Sequence, residues 1–194
     1  MKSRILIRFT LLVGSVVSFA SALILLISAG LPDRADYSGK MIAGIGRVAP
    51  EINSLAPPFE GSTITGSHLR LLDLRGETVI LNFWATWCAP CITEMPLLQT
   101  FYEDSGIQII GINLGEQPIL VTQWVETNHL TFDILLDPQL TIAADYQIRG
   151  QPSTYIITAD GIISHIFYGT VSMKALREAI GSQNESAPSQ RSAG

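Results

Sequence analysis

The chain has 194 residues, enough for one domain with appendages, and only 15% of them are charged. Mean hydropathy is +0.31, high for a soluble chain, and the first thirty residues account for much of it. Beyond residue 31 lie all 17 acidic residues but 9 of the 12 basic ones, a net of −8 that argues against nucleic-acid binding and permits cationic partners.

From Phe9 to Pro32 no residue is charged, and Lys2, Arg4 and Arg8 precede the run. As a helix those 24 residues would span about 36 Å, against roughly 30 Å of hydrocarbon core. The rival reading is a cleaved signal peptide, with Ser28-Ala29-Gly30 at the cleavage site, but its apolar region is usually about 7–15 residues long. Residues 1–31 are therefore read as an N-terminal transmembrane anchor (or signal peptide). The basic flank points its start to the cytoplasm. That makes a single-pass protein of the cell membrane, with its domain on the extracytoplasmic (periplasmic) side.

Residues 32–56 mix Pro, Gly, Ala and scattered charge without clear periodicity, and read as a linker that packs late, at Val48-Ala49-Pro50. Residues 57–181 carry the folded domain. Ser62-Thr63-Ile64, a turn near Gly66 and Leu69 to Leu72 read as a hairpin. Val79-Ile80-Leu81-Asn82-Phe83-Trp84 then has the length and β-branched content of a buried strand. It breaks at Ala85-Thr86-Trp87 and restarts as a helix carrying Cys88-Ala89-Pro90-Cys91 in its first turn, a place that suits Pro90.

A thiol there meets the positive end of the helix dipole and unpaired N–H groups, which favour thiolate. The thiolate attacks disulfides, and a second thiol two residues further on can close the bond. As a structural staple so small a ring would remove little chain entropy. As a structural zinc site it lacks ligands, since there are only two cysteines and the histidines are scattered at 68, 129 and 165. The pair reads as a redox site.

The helix continues to Tyr102 with Met95, Leu98, Phe101 and Tyr102 on one face and Pro96 inside it. Ile107 to Asn113 is a second buried strand, and Pro118 opens a helix to about Asn128 with Leu120, Trp124 and Val121 inward. Phe132 to Leu136 is a short strand, and Pro138 opens a helix through Tyr146. Thr154–Thr158 and Ile162–Tyr168 form a hairpin around Asp160-Gly161. A last helix runs from Ser172, its N-cap, to Ile180, with Gly181 as its stop. Residues 182–194 are polar and small, and read as a disordered tail. Alternating strands and helices ending in a hairpin and a helix give an α/β fold, a central mixed sheet flanked by helices.

Asn82-Phe83-Trp84-Ala85-Thr86-Trp87-Cys88-Ala89-Pro90-Cys91, with Glu94 and Pro96 behind it, resembles the thioredoxin superfamily, and within it the membrane-anchored TlpA/ResA reductases. The likeness runs from about Ala56 to about Gly181. It implies a thioredoxin-like fold with an N-terminal β-hairpin and a helix-strand insertion at Glu116–Leu136. Asn113-Leu114-Gly115-Glu116 resembles that group's wording.

The resemblance also makes Pro152 a cis-proline facing the cysteines. The backbone of Gln151 then pairs with a client peptide as a short added strand. Trp87 becomes the apolar rim of the site, and Pro90 part of the surface that meets the client.

Glu94 is open to two readings. It is either a solvated glutamate near a helix start or the acceptor of the Cys91 proton. The second is favoured because Asn82 stands where thioredoxin has a buried aspartate, and an amide takes no proton at neutral pH.

The implied activity is thiol–disulfide exchange, Cys88 attacking and Cys91 resolving, with no cofactor and no metal. Implied partners are client proteins with disulfides, such as the haem-attachment cysteines of apocytochrome c, and a membrane electron donor of the DsbD/CcdA type. The protein is read as a monomer. The alternative is a copper-binding metallochaperone of the same fold, holding the metal between the two thiolates.

Overall fold

The computed structural model describes residues 41–42 and 46–186. The anchor expected at 1–31, the linker residues before 41 and at 43–45, and the tail at 187–194 lie outside them. Among the described residues no helix is long and apolar enough to cross a membrane.

Two short ribbons precede the main sheet. Strand β1 (Met41–Ile42) pairs antiparallel with β2 (Gly46–Arg47), and β3 (Glu60–Ser62) pairs antiparallel with β4 (His68–Arg70). A 3₁₀ turn at Leu71–Leu74 then leads to β5 (Val79–Trp84). After β5 come α1 (Ala89–Ser105), β6 (Gln108–Leu114), α2 (Pro118–Thr127), β7 (Asp133–Asp137) and α3 (Thr141–Asp145). The hairpin of β8 (Ser153–Ile157) and β9 (Ile163–Tyr168) and the helix α4 (Met173–Ser186) complete the order.

Strands β5 to β9 form one sheet in the order β7-β6-β5-β8-β9. β5 runs parallel to β6 and antiparallel to β8, and β6 runs parallel to β7, so the sheet is mixed and β5 lies at its centre. All six residues of β5 are buried, as a strand covered on both faces requires. Ile80 and Trp84 join the core formed with α1, α2 and α4, whereas Val79, Leu81 and Phe83 join the other, with Ile142 of α3 and Phe59. On that second face Phe83, Tyr146 and Tyr155 meet ring to ring at 5.2–5.7 Å.

The sheet's edges are partly covered, which blunts pairing with other chains. Thr63 bridges Leu135 of β7, and the Ile64 N–H donates to the Ile134 carbonyl at 2.9 Å. On the other side the Ile163 N–H donates to Ser54, and the Asn53 N–H donates to Ile163.

The α/β fold and the insertion (α2 with β7) are as expected, but several local boundaries differ. Residues 46–56 are not linker: Ala49, Leu55 and Ala56 are buried, and the segment bonds to β9 and the turn before it. In α2 the buried pair is Val121 and Val125, one turn apart, and Leu120 is 53% exposed. Pro138 does not open a helix. Leu140 caps α3 from the left-handed region at φ 58°, and the helix starts at Thr141. Ser172 does cap α4, its hydroxyl accepting the Ala175 N–H at 3.2 Å. Gly181, however, does not stop that helix, which continues to Ser186 through residues read as tail.

Candidate redox site

β5 delivers the chain to the end of the sheet, and Ala85-Thr86-Trp87 turns it into α1 with Cys88 as N-cap. The Cys88 sulfur accepts the Cys91 N–H at 3.3 Å, the role an oxygen plays in an ordinary cap. The same N–H and the helix dipole stabilise negative charge on Cys88 once it is reduced. Pro90 sits exposed in the first turn, where its missing N–H costs nothing.

The two sulfurs are bonded at 2.08 Å. Cys88 is 5% exposed and Cys91 is fully buried, so an incoming disulfide meets Cys88 first. Trp87 beside it is 66% exposed, an apolar rim with little of its own packing, while Trp84 lies in the core against Trp124.

The Gln151–Pro152 bond is cis, and the Gln151 carbonyl lies 3.7 Å from the Cys88 sulfur. A disulfide sulfur has no proton to donate, but the reduced Cys88 thiol does. A groove of about 660 Å³ opens here, lined by Gln151 and Pro152 together with Arg149, Tyr168 and Glu51. Its lining includes neither cysteine, so it meets the disulfide only through the Gln151-Pro152 stretch.

Behind the disulfide Glu94 is 1% exposed, so it is not a solvated helix residue. Its Oε1 accepts the Val171 N–H at 2.5 Å, and its Oε2 accepts the Asn82 amide at 2.9 Å. The same Asn82 nitrogen reaches the Thr154 hydroxyl at 2.9 Å. Burial raises the Glu94 carboxyl above its ordinary pKa, and the Val171 and Asn82 hydrogen bonds pull the other way. A carboxylate held in this state, one helical turn from a buried thiol, can take up that thiol's proton.

Across the sheet ends a second polar cluster joins Thr86, Asn113 and Glu116. Neither the Thr86–Glu116 bonds nor the contacts of Glu94 with Val171 and of Asn82 with Thr154 were legible from spacing, because each pairs residues far apart in the chain. One signal was present. Gly115-Glu116-Gln117-Pro118 follows a buried strand at its carboxyl end, where crevices of α/β sheets gather. Among the described residues no group of three or more His, Cys, Asp or Glu side chains could hold a metal ion.

Residues 52–166 match the family model described as AhpC/TSA. The chain belongs to the AhpC/TSA family. The thiol-disulfide oxidoreductase ResA of Geobacillus thermodenitrificans is 36% identical over 135 residues, covering 68% of this chain and 78% of that one. The solved structure of StoA from Bacillus subtilis is 29% identical with a TM-score of 0.57, covering 64% of this chain and 96% of that one. The solved structure of a thiol:disulfide interchange protein described as DsbE, from Chlorobium tepidum, is 26% identical with a TM-score of 0.61, covering 68% and 96%. With a Cys-x-x-Cys pair at the head of α1 and a thioredoxin-like fold around it, this AhpC/TSA member is a thiol–disulfide oxidoreductase acting on disulfide-bearing clients.

Proposed function

We propose that the protein works outside the cytoplasm as a membrane-tethered reductant of client disulfides. The observation that carries this reading is the asymmetry of the pair: Cys88 caps the helix beside the Gln151 carbonyl, while Cys91 is fully buried, with the buried carboxyl of Glu94 three residues further along the same helix.

The Cys88 thiolate attacks one sulfur of the client, a mixed disulfide forms, and the client's other sulfur leaves as thiolate. Glu94 takes the Cys91 proton, and the Cys91 thiolate attacks the Cys88 sulfur. The client then departs with both thiols reduced, and the two electrons lost by the protein leave it as the Cys88–Cys91 disulfide. The burial that holds Cys91 protonated until exchange begins also disfavours attack by it on the client. The resemblance to TlpA/ResA proteins names apocytochrome c haem-attachment cysteines as clients and a DsbD/CcdA-type membrane dithiol as the source of electrons. The uncharged run from Phe9 to Pro32 supports the tether.

In cells making the full chain with Cys91→Ser, client proteins accumulate as mixed disulfides on Cys88 in the membrane fraction, and Cys88→Ser traps almost none. The reverse pattern overturns the roles of the two thiols, and recovery of the trapped species in the soluble fraction overturns the tether.

A further inference from the structure

The loop that presents Cys88 is only three residues long, and its most prominent side chain does not hold it. Trp87 is 66% exposed, so packing of its ring fixes little. The loop is held instead from Thr86, by Glu116. Oε2 of Glu116 accepts the Thr86 backbone N–H at 2.7 Å, and Oε1 accepts the Thr86 hydroxyl at 2.5 Å. One side chain thus grips both the backbone and the side chain of the residue two places before the attacking thiol. The Cys88 N–H in turn donates to the Ala85 carbonyl at 3.2 Å, closing the turn on its other side.

Glu116 is itself aimed. Gly115 adopts φ 71° and donates its N–H to the Asp137 carbonyl at 3.1 Å, turning the chain back after β6. Asn113 is fully buried, and its Nδ2 donates to Glu116 Oε2 at 2.7 Å. The Asn113 Oδ1 is a buried acceptor with no partner among the described residues. A fully buried amide with one end unsatisfied is an expensive way to build a strand terminus. Its one bond fixes the carboxylate that fixes the loop.

We infer that Glu116 is a positioning residue for disulfide exchange: through Thr86 its carboxylate fixes the Ala85–Trp87 loop and so sets Cys88 at the helix N-terminus. It does not touch the reacting sulfurs. It determines whether the Cys88 sulfur lies where the Cys91 N–H can stabilise its thiolate, and a misplacement of about 1 Å at a reacting atom can cost up to about a hundredfold in rate.

The substitution series follows from the donor pattern. Glu116→Gln retains every bond if its carbonyl accepts from Thr86 N–H and Asn113 while its NH2 donates to the Thr86 hydroxyl. Glu116→Ala retains none, and Thr86→Val loses the hydroxyl bond alone.

The test uses the full-length protein, reduced, reacting with a small aromatic disulfide, with the Cys88 thiolate followed by its ultraviolet absorbance across pH. Expected for Glu116→Ala is a rate at least about tenfold lower per folded molecule and a raised Cys88 pKa. Expected for Glu116→Gln is a rate within about threefold of wild type, and for Thr86→Val an intermediate loss with the same direction of pKa change. A wild-type rate and titration in Glu116→Ala overturns the inference, whatever its melting temperature. A Glu116→Gln variant as slow as Glu116→Ala also overturns it, because charge rather than placement would then be at work. Should Glu116→Ala not fold, an unchanged rate and titration in Thr86→Val overturns it alone.

Discussion

Glu94 is a carboxylate carried into the core and left with two hydrogen-bond donors, the Val171 N–H and the Asn82 amide. Burial raises its pKa from 4.5, so its contribution to stability is fully present below about pH 4.5 and is lost as pH rises through the higher folded-state value. Wherever it is ionised the side chain therefore works against folding. Glu94→Gln removes that charge, but its NH2 meets the Asn82 amide donor to donor. Turning the Asn82 amide over moves the Asn82 NH2 to the buried place where Oδ1 has no partner among the described residues. Relative to wild type the variant's melting temperature should fall as pH is lowered from 7 to below 4.5, because only the wild type gains from protonating the buried carboxyl. Its disulfide exchange should be slower by at least about tenfold, since Cys91 loses its proton acceptor. Calorimetry and stopped-flow exchange from pH 5 to 9 check both. A wild-type exchange rate across that range makes Glu94 a structural residue only.

At the scale of single elements, β6 shows how closely the strands and their covering side chains fit. Gly111 lies beneath Trp84, and a Cβ there would come within 2.8 Å of Ile134 Cδ1 and 3.0 Å of Trp84 Nε1. The Ile134 methyl can swing aside, but the indole is held against Trp124 at 4.9 Å. Gly111→Ala should therefore destabilise the domain by about 1–3 kcal/mol in chemical denaturation, although alanine is the better strand residue. A loss below about 0.5 kcal/mol would mean that the Trp84 ring shifts freely.

Elements with one dominant pattern were legible in the sequence. β5 announces itself by six buried residues in a row, and α1 by the proline in its first turn. The failures share a cause. Ile119, Leu120 and Val121 are all apolar, so the sequence carries no mark of which one faces inward, and only packing against the sheet selects Val121. Gly181 is exposed in α4, where a glycine weakens a helix by about 1 kcal/mol without ending it. Of the site, the thiols and Glu94 could be read from a contiguous motif. The Thr86–Glu116 latch could not, because its partners are 30 residues apart and meet only when β5 and β6 pair.

For the molecule as a whole, the sheet supplies rigidity and its ends supply chemistry. Segments 53–55 and 63–64 bond to its two edge strands, while the Gln151-Pro152 stretch beside the sulfurs opens onto the 660 Å³ groove. The helix cap on Cys88 favours its thiolate and so the reduced form, whereas sealing Cys91 from solvent disfavours a second thiolate and so favours handing electrons on. The direction of electron flow rests on the balance of those two effects, and the reduction potential of the full-length protein reports it directly. Equilibrated with a dithiol buffer of known potential, a reductant gives a midpoint below about −220 mV, toward the thioredoxin value of about −270 mV. A midpoint near −120 mV, typical of strongly oxidising periplasmic dithiols, would contradict it and make the protein a donor of disulfides.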